Sequence, residues 1–268
     1  MEDVQGVAGP KCLRVVTYNV HKCRGLDRRV RPDRIVNVLR EVDADIVAMQ
    51  EILSATDVRH MEDQVGYIAS NLGFYAFMGE NRRLNGRAYG NAILSRYPLC
   101  AAVNHDISTD GREPRGCMRV DLEVAGAALL HVFNVHLGTA YPERCEQASK
   151  LLTSEILGNR TLRGARIVLG DFNEWTRGLA TRLLSAEFAS IDIKKYLGRS
   201  RTYPGVLPLL HLDHIYFDPV INLKSVALHR SRVALMASDH LPLAADFCIP
   251  EISDQGAQPE WGDLLRQS

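Results

Sequence analysis

The sequence predicts an α/β protein in which two packed β-sheets carry helices on their outer faces. Three observations lead there. Eight segments read as strands: LRVVTY, DIVAMQ, YGNAILSR, MRVDLEV, LLHVFNVH, RIVLG, LDHIYF and LPLAADF. Only about four segments carry helical periodicity, too few to cover both faces of one doubly wound sheet of that width. Some strands alternate polar and apolar residues, as half-buried strands do, while others are continuously apolar, as strands buried on both faces are.

Residues 1–11 are polar and aperiodic and read as a flexible N-terminus. After LRVVTY, the stretch PDRIVNVLREV places Pro32 where a first-turn proline belongs, and Ile35, Val38, Leu39 and Val42 recur at helical spacing. DIVAMQ follows as a strand. Val65, Ile68, Ala69 and Leu72 then form a second helical stripe that stops at Gly73, a C-terminal cap. Three strands lead to a third helix over residues 142–157, RIVLG leads to a fourth over 179–188, and LDHIYF and LPLAADF complete the set. No low-complexity linker or repeat interrupts residues 12–249, which are expected to form one domain. Residues 250–268 read as a tail, whose Trp261, Leu264 and Leu265 could dock a short helix.

Composition narrows the function classes. The 46% hydrophobic and 24% charged fractions are ordinary for a globular protein. Six cysteines without a C-x-x-C pair argue against a disulfide framework or a zinc knuckle and fit a reducing compartment. No signal peptide is evident at the N-terminus, and no apolar run approaches the ~18 residues of a membrane span. The expected location is cytoplasmic. Net charge is zero, so no global field draws the protein to nucleic acid or to an anionic surface. The basic residues are nonetheless 26 Arg to 6 Lys, and Lys22, Arg24, Arg28, Arg29, Arg31 and Arg34 fall within thirteen residues.

Polar residues gather at one end of the strands. LRVVTYNV ends in Asn19 and DIVAMQE in Glu51; HVFNVH ends in Asn134 and His136, which share a face because they are two apart. RIVLGDFN ends in Asp171 and Asn173, HLDHIY carries Asp213, and ASDHLP supplies Asp239 and His240. Each alone has a plain structural reading, as a turn former or a satisfied core residue. Six strands offering such groups together point to a site.

The ordered series TYNV, MQE, NVH, GDFN, LDHIY and SDH resembles the endonuclease/exonuclease/phosphatase superfamily over roughly residues 13–248. Finer features, among them GNAILSRYPL and DFNEW, resemble a bacterial branch of it. The resemblance implies a four-layer α/β sandwich of the DNase I-like kind and a metal-dependent phosphoesterase.

A phosphate ester resists hydrolysis because its negative charge must be neutralised and a water aligned. Mg²⁺, with Mn²⁺ as an alternative, suits carboxylate and amide donors. Glu51 is the expected direct ligand, with Asn19 beside it and Asp239 as a further or water-mediated one, and the resemblance assigns the same three. Asp171 is expected to orient and deprotonate the attacking water, and Asn173 to hold that water or a phosphate oxygen. His240, oriented by Asp213, would stabilise the phosphate, with His136 flanking it. The resemblance implies Glu80 as a carboxylate partner for His136. Arg115 and Arg24 are candidate phosphate contacts, and Tyr203 either lines the substrate groove or packs a turn. No H-x-x-x-H or H-E-x-x-H spacing supports zinc, no G-x-S-x-G elbow supports serine hydrolysis, and no P-loop or dinucleotide glycine pattern occurs.

Two departures from the family pattern bear on the substrate. Abasic-site endonucleases carry an acid where this chain has His21, which weakens that reading. His214 follows Asp213 and points to the opposite face of the strand, so it reads as structural. Modest length, neutral charge and the lack of long insertions favour a small or lipid-linked phosphodiester, with peripheral membrane contact compatible. A DNA or RNA nuclease is the alternative, and a binding platform without activity is the third reading. Oligomeric state is left open.

Overall fold

The computed structural model describes residues 11–55, 62–124, 129–175, 178–191, 193–198, 201–205 and 209–249. The tail with Trp261, Leu264 and Leu265, like residues 1–10, lies outside the described residues. The strands are β1 (Lys11–Asn19), β2 (Ile46–Ser54), β3 (Tyr75–Leu84), β4 (Arg87–Ser95), β5 (Leu99–Asp106), β6 (Gly116–Leu122), β7 (Leu130–His136), β8 (Ala165–Asp171), β9 (Ala189–Ser190), β10 (Asp213–Phe217), β11 (Asn222–Leu228) and β12 (Leu243–Ile249). The helices are α1 (Pro32–Val42), α2 (Gln64–Leu72), α3 (Tyr141–Leu151), α4 (Leu179–Glu187), α5 (Ile193–Leu197) and α6 (Arg232–Ala237), with a 3-10 turn at His21–Cys23.

Two six-stranded mixed sheets form, in the orders β11-β12-β1-β2-β4-β3 and β5-β6-β7-β8-β10-β9. Alternation along the strands divides the core. In β1, Leu13 and Val15 join Ile46, Ile93, Val132, Ile167 and Leu169 between the sheets, while Val16 and Tyr18 face α1, α2 and α6. On the far side, Phe133, Val135 and Val168 face α3 and α4. The result is the expected four-layer sandwich. Each fully buried aliphatic side chain, such as Ile35 of α1, contributes about 1.5–3 kcal/mol by leaving water.

All eight expected strands form, and so do four strands the sequence did not announce: β3, β5, β9 and β11. These four are the outer edges of the two sheets. An edge strand buries little, so it lacks the apolar signature that reveals an interior one; β11 alternates only between exposed and half-buried positions. The first two helices start and stop close to expectation, with Gly73 at φ 70° closing α2. The third helix is shorter than expected, ending at Leu151. Successive turns then carry the buried Ile156 and Leu157 back onto the same core, which extended the apolar pattern beyond the helix.

The cysteines require a correction. Cys12 and Cys248 are directly paired across β1 and β12 and form a disulfide. A sequence separation of 236 residues hid the pair, and the cysteine argument for a reducing compartment does not hold. No helix among the described residues is long and apolar enough to cross a membrane.

One buried amide ties the sheets together. The Asn134 side chain, on β7, donates through Nδ2 to the Met49 and Ala92 carbonyls of the opposite sheet, both at 2.9 Å. Its Oδ1 accepts from Gln50 Nε2 at 2.7 Å. Both side chains are fully buried. Replacing Asn134 by Ala removes, in the buried interior, its bonds to two strand carbonyls and the one it accepts from Gln50 Nε2, which keeps only Thr17 Oγ1 and the Ala48 carbonyl. Asn134→Ala is therefore expected to lower the unfolding free energy by roughly 2–4 kcal/mol in urea titrations, whereas Asn71→Ala on the exposed face of α2 should change it by well under 1 kcal/mol.

Candidate active site

Parallel pairing brings the strand ends to one place. Asn19 of β1 lies opposite Gln50 of β2, so Glu51 comes next to it. A register shift between Met49 and Ile52 accompanies a left-handed backbone at Glu51, φ 55°, a bulge that re-aims its carboxylate. In the other sheet His136 pairs with Asp171, which in turn pairs with Asp213. Gly170 is required just before Asp171: at φ 149°, a Cβ there would lie 1.9 Å from the Val135 carbonyl oxygen. The turn after it is closed by the Asn173 backbone N–H donating to Asp171 Oδ1 at 2.9 Å, with Asn173 itself left-handed at φ 49°.

Asn19 joins the two halves. Its Nδ2 donates to Asp171 Oδ2 at 3.0 Å and to Glu51 Oε1 at 3.2 Å, and its Oδ1 accepts from the His21 backbone N–H. Glu51 also receives Lys22 Nζ at 2.6 Å and the Tyr89 hydroxyl. Burial alone would raise the Glu51 carboxyl. The His136 ring, the Lys22 ammonium and the Asn19 amide more than reverse this and hold it well below the usual carboxylate range. Asp239 lies at the same end, 3.5 Å from His21 Nδ1, beside Ser238, whose hydroxyl donates to the Asn19 carbonyl at 2.8 Å.

Two buried histidines flank Asp171 in opposite protonation states. Arg115 Nη1 is 3.1 Å from His136 Nδ1. A guanidinium only donates, so Nδ1 accepts and the ring proton sits on Nε2, which faces Asp171 Oδ2 at 3.7 Å. Burial, reinforced by Arg115, lowers His136 to about 4, so it is neutral. His240 places Nδ1 3.1 Å from Asp213 Oδ2 and Nε2 3.6 Å from Asp171 Oδ2. Burial works to lower it, but Asp213 and Asp171 outweigh burial and push it up to about 10. It is an imidazolium at neutral pH.

The Glu51 carboxylate suits a hard divalent cation, and the Lys22 ammonium already stands against it as a positive charge, while Asn19 presents its Nδ2 there and accepts the His21 N–H on its oxygen. A second cluster, Asp171, Asp213 and His240, brings its ligand atoms within 4.8 Å of one another. Within it His240 Nδ1 is hydrogen-bonded to Asp213 Oδ2 at 3.1 Å, and its Nε2 stands 3.6 Å from Asp171 Oδ2.

The structure thus brings Asn19, Glu51, His136, Asp171, Asn173, Asp213, Asp239 and His240 to one end of the sandwich. Tyr203 joins them, its ring 4.8 Å from that of His240. Other expectations change. Glu80 does not reach His136; it pairs with Arg83 at 3.1 Å, and Arg115 occupies the histidine nitrogen instead. Arg115 is buried between His136 and Glu113, so it sets a tautomer from behind the site. Arg24 is exposed, and its Nε donates to the Arg28 carbonyl within its own loop. His214 donates to the Glu174 carbonyl at 2.8 Å on the opposite face, as the strand alternation implied. Sequence reasoning missed Gln50, Tyr89 and Ser238. Gln50 carried a signal, a polar side chain inside a continuously apolar strand, whereas the other two have none without the fold.

The chain resembles known proteins over most of its length. Residues 16–240 match the family model described as the Endonuclease/Exonuclease/phosphatase family. The chain is 32% identical over 246 residues to the uncharacterized protein YbhP of Escherichia coli strain K12, covering 88% of this chain and 96% of that one. Among solved structures, an endonuclease/exonuclease/phosphatase from Beutenbergia cavernae superposes with a TM-score of 0.72 at 21% identity, over 89% of this chain and 72% of the other. A mannosyl-6-phosphatase from Bacteroides thetaiotaomicron gives 0.73 at 18% identity, over 88% and 100% of the two chains. The human Nocturnin catalytic domain with bound sulfate gives 0.71 at 19%, over 89% and 95%.

The opposed histidines predict the pH dependence of stability in chelator. His240 is raised from 6.5 to about 10, so its stabilising contribution is complete below pH 6.5 and is lost as pH rises through 10. His136 is lowered from 6.5 to about 4, so the unfolded chain binds the extra proton and stability falls as pH drops from 6.5 to 4. Urea unfolding in EDTA should give a maximum between these limbs. His240→Gln should lower that maximum and flatten the alkaline limb; an unchanged alkaline slope would show that His240 is not the imidazolium described.

Proposed function

The chain belongs to the endonuclease/exonuclease/phosphatase family, and from that premise we propose that it is a Mg²⁺-dependent phosphoesterase whose substrate is a phosphodiester of a small or lipid-linked molecule. The observation that carries the reading is Asp171: buried, tied through Asn19 to Glu51, and flanked by one neutral and one protonated histidine. That constellation sets a base, a charged electrophile and a carboxylate for a cation side by side, with Asp171 and Glu51 sharing the Asn19 amide.

A bound Mg²⁺, with Mn²⁺ as the alternative, would be held by Glu51 and Asp239 beside Asn19 and would neutralise charge on the phosphate. The chain's own groups do the rest. Asp171, with Oδ1 fixed by the Asn173 N–H and Oδ2 by Asn19, orients a water and accepts its proton. Asn173, whose Nδ2 is committed to the Leu137 carbonyl, turns its Oδ1 to that water. His240 places a fixed positive charge against the phosphate oxygens, and Asp213 keeps the ring oriented and charged. His136 adds a neutral Nε2–H donor from the other side, held in that tautomer by Arg115. Tyr203, its ring tilted against that of His240, borders the pocket.

The preference for a small or lipid-linked ester rests on the neutral chain and on the lack of a long basic or aromatic insertion to track a polynucleotide. A substrate panel tests both halves of the proposal. It would hold phospholipid head-group diesters, inositol phosphates, a chromogenic diester, plasmid DNA and short RNA, each with Mg²⁺, Mn²⁺ and EDTA. Turnover should vanish in EDTA. Asp171→Ala should lose roughly a hundredfold or more of kcat, and Glu51→Ala should lose both turnover and calorimetric Mg²⁺ binding. Full activity in Asp171→Ala would remove the assigned base, and preferential cleavage of plasmid or RNA would replace the substrate class.

A further inference from the structure

Large apolar side chains exposed to solvent are concentrated at one end of the molecule. Leu26 and Val30 follow β1, Tyr141 follows β7, and Trp175 follows β8. Leu209 precedes β10 and Met236 precedes β12. The antiparallel pairing of β10 with β8 and of β12 with β1 brings these two to the same end as Asp171 and Asn19. Among the described residues the remaining exposed large hydrophobic is Tyr75, at the opposite end beside Ser95 and Ile46. A random scatter would not leave one sheet end nearly bare and put the rest at the end that carries Asn19 and Asp171.

The largest projection of this face is the loop after β1, and it is built to keep its shape. Arg28 N–H donates to the Gly25 carbonyl at 2.9 Å, placing Leu26 and Asp27 at the tip of a turn, and Gly25 N–H donates to the Arg29 carbonyl. Arg34 clamps both oxygens of Asp27, at 2.9 and 2.6 Å. Gly25 seats the loop against α6, where a Cβ would come within 2.2 Å of the Met236 carbonyl oxygen. Arg31 is spent on Asp33. Arg24, Arg28 and Arg29 make no salt bridge among the described residues and stand exposed around Leu26 and Val30. An otherwise neutral protein therefore carries a local cationic patch interleaved with aliphatic side chains.

We propose that this face docks on the surface of an anionic lipid bilayer, with Leu26, Val30 and Met236 entering the headgroup–acyl boundary and Arg24, Arg28 and Arg29 meeting lipid phosphates. The proposal deepens the phosphoesterase reading, and rests on it, by making the scissile ester part of a membrane lipid. Aliphatic side chains gain from the bilayer boundary, and residues 20–31, which carry the cationic patch, hold no Phe, Tyr or Trp on which a nucleobase would stack. The charge is complementary to an anionic leaflet, where each nearby arginine strengthens binding roughly fivefold. Lys22, which contacts Glu51, lies three residues after the end of β1 and just ahead of the Arg24–Val30 bridge that closes the loop, so a docked loop sets the pocket against the headgroup layer.

Flotation of the full chain with vesicles, in EDTA so that no turnover is needed, tests this directly. Vesicles of phosphatidylcholine alone would be compared with vesicles containing about a third phosphatidylglycerol. The intact protein should bind the anionic vesicles at least about tenfold more tightly. Leu26→Asp and Arg28→Glu should each weaken that binding roughly fivefold or more, at unchanged thermal midpoint and unchanged hydrolysis of a soluble chromogenic diester. Equal binding to both vesicle types, or binding unaffected by either variant, overturns the proposal. So does tighter binding of single-stranded nucleic acid, or a dimer in light scattering, that the same variants abolish. Vesicle binding without lipid hydrolysis in Mg²⁺ would leave the docking surface standing and remove the lipid ester as substrate, whereas hydrolysis of lipid without docking would do the reverse.

Discussion

The active end of this molecule depends on amides that hold two sheets at one separation. Asn134 and Gln50 do so in the sandwich interior, and Asn19 does so at its mouth, where one Nδ2 reaches a carboxylate from each sheet. The apolar contacts between the sheets supply most of the cohesion, but they are non-directional and would tolerate a slide of one sheet over the other. A buried amide tolerates no such slide, because misplacing it leaves donors and acceptors unsatisfied in a medium without water. Placement of Glu51 relative to Asp171 follows from these few bonds.

That geometry turns chemically similar side chains into different groups. His136 and His240 are both buried within 4 Å of one Asp171 oxygen, yet one is neutral and the other charged. The difference lies in what stands behind each ring. Arg115 can only donate and so excludes a proton from His136 Nδ1, whereas Asp213 can only accept and so retains one on His240. Asp213 is itself fully buried, with Oδ2 turned to the His240 ring at 3.1 Å.

Local strain gathers in the same region. Glu51 and Asn173 are left-handed without being glycine, and His21, Lys22 and Cys23 form a run of three such residues. Each costs on the order of 1–3 kcal/mol and persists only where surroundings enforce it. Here they are enforced by named contacts: the bulge in β2, the Asp171 carboxylate under the Asn173 N–H, and Gln64, whose amide holds the Lys22 carbonyl at 2.7 Å. The outcome is that Lys22 is turned back onto Glu51 and the cationic loop projects from the rim of the site.

The sequence by itself determined the interior of the fold and the identity of the polar groups at its mouth. Interior strands bury one or both faces and so betray themselves by apolar pattern; Asn19, Glu51, His136 and Asp171 betray themselves at the ends of such strands, and His240 just ahead of one. The four edge strands went unread because an edge has little to bury. Only the tertiary structure decided which groups meet. It gave His136 Arg115 in place of Glu80, paired Cys12 with Cys248 across the chain's two ends, and set opposite charges on two histidines. Those are properties of contacts between residues distant in sequence, and local pattern reports how a residue is buried without reporting what it is buried against.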